Sequence, residues 1–156
     1  MPATARHRPR PIHAGIHHLR STPVLDALVR GAQLSPDDLV YDLGAGPGTV
    51  TAALARTGAR VVAVERDPRF ARRLRRRFAR HPRVLVLERD LRTVAIPRHA
   101  RVVANLPFAT AGAVVAHLLD PPGRPHAGAD LVVEHGFALR MTSAPPRSAR
   151  AAWRAA

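Results

Sequence analysis

Four short segments of this chain combine residue types that can do chemistry. In Gly44-Ala45-Gly46-Pro47-Gly48 the glycines permit a tight turn and let backbone approach a ligand closely, and amides at the following helix terminus can receive an anionic group. Such a loop can serve NAD, S-adenosylmethionine or merely a turn, because it lacks the full spacing of the dinucleotide fingerprint. Glu65 can accept hydrogen bonds from both hydroxyls of a ribose, and Asp90, with Leu91 beside it, can accept from the amine of a cofactor adenine. Either acid can also be a solvated charge at a strand end. Asn105-Leu106-Pro107-Phe108 carries the most particular chemistry. An adenine amine is a poor nucleophile because its lone pair is delocalised into the ring. Acceptors that hold its hydrogens favour a pyramidal nitrogen aimed at an electrophilic methyl group. The Asn105 side-chain oxygen and the Leu106 carbonyl suit that task, Pro107 stiffens the turn, and Phe108 offers a face for a base flipped from its strand. Taken alone, the tetrapeptide also reads as an ordinary strand-to-helix turn with a buried Phe. No metal and no covalent nucleophile is called for.

These segments need a scaffold, and the apolar pattern supplies one. Leu39–Leu43 reads as a buried strand running into the glycine loop and a helix from about Thr49 to Arg56. Arg60–Glu65 is a second strand, followed by a helix over Pro68–Arg80 in which arginines surround Phe70, Leu74 and Phe78. Val84–Leu87 is a third strand leading to Asp90, and Val102–Ala104 a fourth leading to Asn105 and a helix over about Thr110–Leu119. Asp130–Glu134 is a fifth strand, and Pro23–Val29 a short helix ahead of the first. Alternating strands and helices predict an α/β fold with a mostly parallel, doubly wound sheet. In such a sheet ligands bind beyond the carboxyl ends of the strands, where all four chemical segments fall.

At 156 residues and 46% hydrophobic content the chain fits one core domain, read as residues 14–143. Residues 1–13 read as a disordered basic arm, and residues 144–156 as a tail rich in Arg, Pro and Ala. Cysteine is absent, which excludes disulfides and thiolate metal sites. The formal charge is +14, from 25 basic residues, all arginine, against 11 acids. Arginine pairs bidentately with phosphate and stacks on bases, so a polyanionic partner, RNA, is expected. Arginine without lysine is also what a GC-rich genome produces. The candidate contacts are Arg6, Arg8 and Arg10 in the arm and Arg72, Arg73, Arg75, Arg76 and Arg77 on the second helix, although the latter also suit a solvated helix face. No apolar run approaches the ~20 residues needed to span a bilayer, and the first eleven residues hold no secretory apolar stretch. A cytoplasmic protein that does not contact membranes is expected. The neighbouring His17 and His18 have no acids beside them to complete a metal site.

In this order and spacing, DLGAGPG, VVAVERDP, ERDL and ANLPF resemble the cofactor and catalytic motifs of the Erm and KsgA rRNA adenine dimethyltransferase family, over roughly Gly15 to Arg140. The Erm branch is favoured by Gly15-Ile16-His17-His18-Leu19-Arg20-Ser21 and by the arginine-rich character. The resemblance implies a Rossmann-like class I methyltransferase with S-adenosyl-L-methionine as cofactor. It implies cofactor contacts from His17, Leu19, Asp42, Gly44, Ala45, Gly46, Glu65, Arg66, Asp90, Leu91 and Asn105. Asn105, Leu106, Pro107 and Phe108 would form the catalytic segment that holds the target base. The substrate of an Erm-type enzyme is one adenine of large-subunit 23S rRNA, methylated at N6, which blocks macrolides, lincosamides and streptogramin B.

The chain departs from the family pattern at two places. Ile16-His17-His18-Leu19 stands where members carry Gln-Asn-Phe-Leu or Gln-His-Phe-Leu. The fold is also expected to lack the last strands, a hairpin beyond the fifth strand, and the carboxyl-terminal helical domain. A bare fifth strand would then be an apolar edge prone to self-association. A non-catalytic RNA-binding or inactive methyltransferase fragment is the competing function. A nicotinamide-dependent oxidoreductase is the third, and it leaves the Asn-Leu-Pro-Phe turn unexplained.

Overall fold

The computed structural model describes residue 19 and residues 21–119 and 127–143. The expected basic arm, the Asp120–Pro125 loop and the arginine-rich tail lie outside the described residues. In chain order the elements are α1 (Thr22–Gly31), β1 (Leu39–Leu43), α2 (Thr49–Ala55), β2 (Arg60–Glu65), α3 (Pro68–Arg77), β3 (Val84–Glu88), β4 (Arg101–Asn105), α4 (Ala111–Leu119), β5 (Gly128–Val132) and α5 (His135–Ser143).

The five strands form one wholly parallel sheet in the order β3-β2-β1-β4-β5. Each of β1 (LVYDL) and β2 (RVVAVE) is a nearly continuous apolar run because both of its faces are covered. On one face Val40, Val61 and Val103 pack against Leu28 of α1 and Val50 and Leu54 of α2, while Ala63 meets Leu74 of α3. On the other, Tyr41, Leu43, Val62, Val64, Val102 and Ala104 pack against Leu91, Val94 and the buried side of α4, with Phe137 of α5 at the margin. The chain winds outward from β1 to β3 and then returns to place β4 on the other side of β1. That reversal opens a crevice between the carboxyl ends of β1 and β4.

Two shifted boundaries and one added helix are the main differences from the pattern-based reading. The predicted helix to Arg80 ends at Arg77: Phe78 leaves helical geometry (φ −105°, ψ 16°) and lays its ring beside the Ala63–Leu74 cluster. The fifth strand lies two residues earlier than predicted, because its register is set by β4, from Arg101 opposite Gly128 to Asn105 opposite Val132. Val133 and Glu134 have no strand residue left to pair with. Helix α5 was not anticipated; its Phe137 packs on the core, and Met141 follows one turn later on the same face.

Candidate active site

The glycine loop is shaped from both sides. Gly44, Gly46 and Gly48 all have positive φ (77°, 51° and 83°), which turns β1 sharply into α2. The turn is tied to the next strand, as the amides of Gly44 and Ala45 both donate to the Val64 carbonyl at 2.9 and 3.0 Å. Beneath the loop Asp42 is buried at 1% exposure, with Thr51 Oγ1 donating to its carboxylate at 2.5 Å. Burial pushes the Asp42 carboxyl up to about 7, against the Thr51 hydrogen bond and with a smaller contribution from the Glu65 charge. Asp42 therefore anchors the first turn of α2 to β1 from inside. Thr51 is a site residue that sequence reading missed; its only signal was a hydroxyl in the first turn after the glycine loop.

Glu65 ends β2 facing the loop. Its Oε2 accepts from the Gly46 amide at 2.8 Å and its Oε1 from the Asp67 amide at 2.7 Å. Two backbone donors fix the carboxylate's orientation, and each oxygen retains acceptor capacity for a ribose hydroxyl. Asp67 then caps α3 by accepting from the Arg69 amide at 2.8 Å, and the Arg69 side chain holds its carboxyl down at about 2.

Asp90 sits where the pattern put it, beyond the end of β3, but a neighbour occupies it. Arg92 binds both carboxylate oxygens through Nε and Nη2 and donates its backbone amide at 2.9 Å, which keeps the Asp90 carboxyl well below the usual range. Arg66, 72% exposed, lies 3.8 Å away. An adenine amine reaching Asp90 would share the acid with this fork. The sequence pattern does not single out Arg92.

The Asn105–Phe108 segment meets the loop directly. A Cβ built on Gly44 would lie 3.2 Å from Leu91 Cδ2 and 3.7 Å from Pro107 Cδ, so the first, third and fourth motifs converge on one point. Asn105 closes β4, and the ladder continues one step further as the Leu106 amide donates to the Val132 carbonyl at 3.0 Å. Leu106 turns its side chain into the core at 3% exposure, leaving its carbonyl as the relevant atom. Phe108 is 48% exposed beside this cluster, so it is not the buried packing residue that an ordinary turn would carry.

The remaining predicted residues divide. Ala45 is buried within the loop and Leu91 beside it. Leu19 packs against the α1–α2 cluster. His17, Arg6, Arg8 and Arg10 lie outside the described residues. On α3, Arg72, Arg73 and Arg76 are exposed, whereas Arg75 Nη1 pairs with Glu88 at 2.9 Å. Arg77 Nη1 donates to the carbonyls of Pro47 and Gly48 at 2.9 and 3.1 Å, which makes it a brace for the glycine loop.

Comparison with known proteins agrees with this geometry. Residues 11–153 match the family described as ribosomal RNA adenine dimethylase. An rRNA adenine N-6-methyltransferase of Bacillus licheniformis is 32% identical over 134 residues, covering 85% of this chain and 47% of the relative. The ribosomal RNA small subunit methyltransferase A of Thermotoga neapolitana is 37% identical over 109 residues, covering 69% and 42%. Among solved structures, the 23S rRNA methyltransferase ErmE superposes with a TM-score of 0.73 at 29% identity, covering 81% of this chain and 52% of that one. The chain thus spans about half the length of these relatives, and it belongs to the ribosomal RNA adenine dimethylase family.

Proposed function

We propose that this chain binds S-adenosyl-L-methionine and methylates N6 of an unpaired adenine in ribosomal RNA. The observation that carries the reading is the convergence of Gly44, Leu91 and Pro107 in the β1–β4 crevice, with Glu65 held to the loop beside it. The cofactor supplies an electrophilic methyl group on a sulfonium. The loop of Gly44, Ala45 and Gly46 accommodates its amino-acid end, Glu65 accepts from its ribose, and Asp90, Leu91 and Arg66 flank its adenine. Asn105 and the Leu106 carbonyl hold the hydrogens of the target amine, and Phe108 stacks on the extruded base. Proton loss from the methylated nitrogen requires no dedicated base, because the cationic product is strongly acidic.

At the finer level the reading is an Erm-type activity on 23S rRNA that confers macrolide, lincosamide and streptogramin B resistance. Likeness to ErmE and the Gly15–Ser21 segment support it. A small-subunit rRNA substrate is the second reading, supported by the 37% identity to the Thermotoga protein. RNA contacts are assigned to Arg6, Arg8 and Arg10 and to the basic α3 helix. Cytoplasmic location follows from a ribosomal substrate; none of the described helices is long and apolar enough to cross a membrane.

The test is transfer of labelled methyl from S-adenosylmethionine to protein-free 23S and 16S rRNA, with nucleoside analysis. N6-methylated adenosine from 23S alone supports the Erm-type reading, and from 16S alone the second. No label, alongside measurable cofactor binding, favours a non-catalytic RNA-binding fragment.

A further inference from the structure

A cleft of about 470 Å³ runs between α2 and the carboxyl end of α3, away from the crevice. Its floor is Ala52 and Ala55, its cations are Arg56, Arg77 and Arg80, and Phe78 and His81 complete it; no acid lines it. Small alanine side chains let a ligand approach the helix closely. One wall is a stack: the Arg77 guanidinium lies 5.3 Å from the Phe78 ring centre, and that ring meets His81 edge-on at 6.4 Å. Arg80 has no hydrogen-bond or ion-pair partner among the described residues, and Arg56 makes only a long bond, 3.4 Å, to the Ala52 carbonyl. The His81 Nδ1 is buried and has no hydrogen-bond partner among the described residues. A rim of arginines without counter-charges over an uncharged floor is complementary to an anionic backbone rather than to a neutral ligand.

We propose that this cleft holds the phosphodiester backbone of the RNA strand flanking the target adenine. The inference rests on the rRNA reading above and adds a place for the strand. Helix α2 begins at the glycine loop, and its seven residues carry the chain about 10 Å along its axis to the cleft. Arg77 belongs to both sites, since the guanidinium lining the cleft also holds the Pro47 and Gly48 carbonyls. The exposed ridge of α3, Arg72, Arg73 and Arg76, points the same charge at open solvent without a cleft to order a strand, and contributes only diffuse attraction.

The experiment compares two doubly substituted full-length chains that lose the same charge: Arg56→Ala with Arg80→Ala in the cleft, and Arg72→Ala with Arg76→Ala on the ridge. Binding to a transcribed rRNA stem-loop containing an unpaired adenine is followed by fluorescence anisotropy between about 50 and 300 mM KCl. The cleft variant is expected to bind about tenfold more weakly than the parent and to lower the log–log salt slope by about 1.5, with the ridge variant changing both by less than half as much. S-adenosylmethionine affinity, measured by calorimetry, stays within about twofold in both variants because the altered residues are remote from the loop. Equal losses in the two variants, no loss in the cleft variant, or absence of RNA binding by the parent overturns the proposal. Methyl transfer is not part of the readout. A parent that binds RNA through the cleft yet transfers no methyl group would remove the catalytic reading and leave this one standing.

Discussion

Asp42 is a buried carboxylate whose proton is held more tightly folded than unfolded, and that sets a pH dependence. With its carboxyl pushed up to about 7, the folded chain carries a proton between the ordinary carboxylate range and neutrality that the unfolded chain has already released. Stability contributed at this site is therefore present at acid pH and lost as pH rises through the window to about 7. Asp42→Asn retains an acceptor for Thr51 and removes the charge. It is expected to stabilise the fold at pH 8 by on the order of 3 kcal/mol, a gap that closes towards pH 4, as read by urea unfolding at each pH. In the proposed reaction Asn105 and Phe108 act on the substrate side. Asn105→Ala and Phe108→Ala should each lower methyl transfer by roughly 100-fold while changing cofactor affinity less than about threefold. Equal loss of cofactor binding in both variants would move the target-base pocket elsewhere.

At the level of elements, the glycine loop depends on α3 pressing against its back. A Cβ on Gly48 would lie 2.6 Å from Leu74 Cδ2 and 3.2 Å from Phe78 Cε2, and φ there is 83°. Gly58, with φ of 86°, has only Pro36 nearby, at 3.5 Å. Ala at either position incurs the left-handed backbone cost of about 1–2 kcal/mol. At position 48 it also drives apart a packed helix, which adds about 1–3 kcal/mol. Thermal unfolding should therefore separate the two: Gly48→Ala lowers Tm clearly more than Gly58→Ala, and only the former weakens S-adenosylmethionine binding. The brace between Arg77 and the Pro47 and Gly48 carbonyls predicts the same pattern for Arg77→Ala, with a loss of about three- to tenfold in cofactor affinity by calorimetry and retained secondary structure by circular dichroism.

For the whole molecule, the exposed feature of note is β5. It pairs with β4 on one side, and no described strand borders the other; all five of its residues are half-buried, whereas the interior of β4 is fully buried. Helix α5 covers part of one face through Phe137 but not the edge itself. An edge with apolar Leu131 and Val132 that is unpaired among the described residues is a template for another strand. Concentration-dependent self-association is expected, read by light scattering up to high concentration. A monodisperse parent would rule the edge out as an interface.

Much of this was legible in one dimension. Strand, glycine turn and helix follow each other within a few residues, and their apolar runs and turn residues are local signals, so β1, α2, β2, β3 and β4 were readable, as were Glu65, Asp90 and Asn105–Phe108 as strand-end residues. The order of chemical segments along the chain determined the family. What the residues alone did not determine was partnership across the fold. That Asp42 faces Thr51 under the loop and that Arg77 braces the Pro47 and Gly48 carbonyls from α3 depend on which helix face packs on which strand, whereas the hold of Arg92 on Asp90 comes from the local turn between them. The limits of β5 likewise came from β4, and α5 emerged only with an apolar margin to cover. Hydrophobic periodicity specifies which side of an element is buried. Which polar groups then meet at its ends is decided by the register and crossing of packed elements, which only the tertiary structure contains.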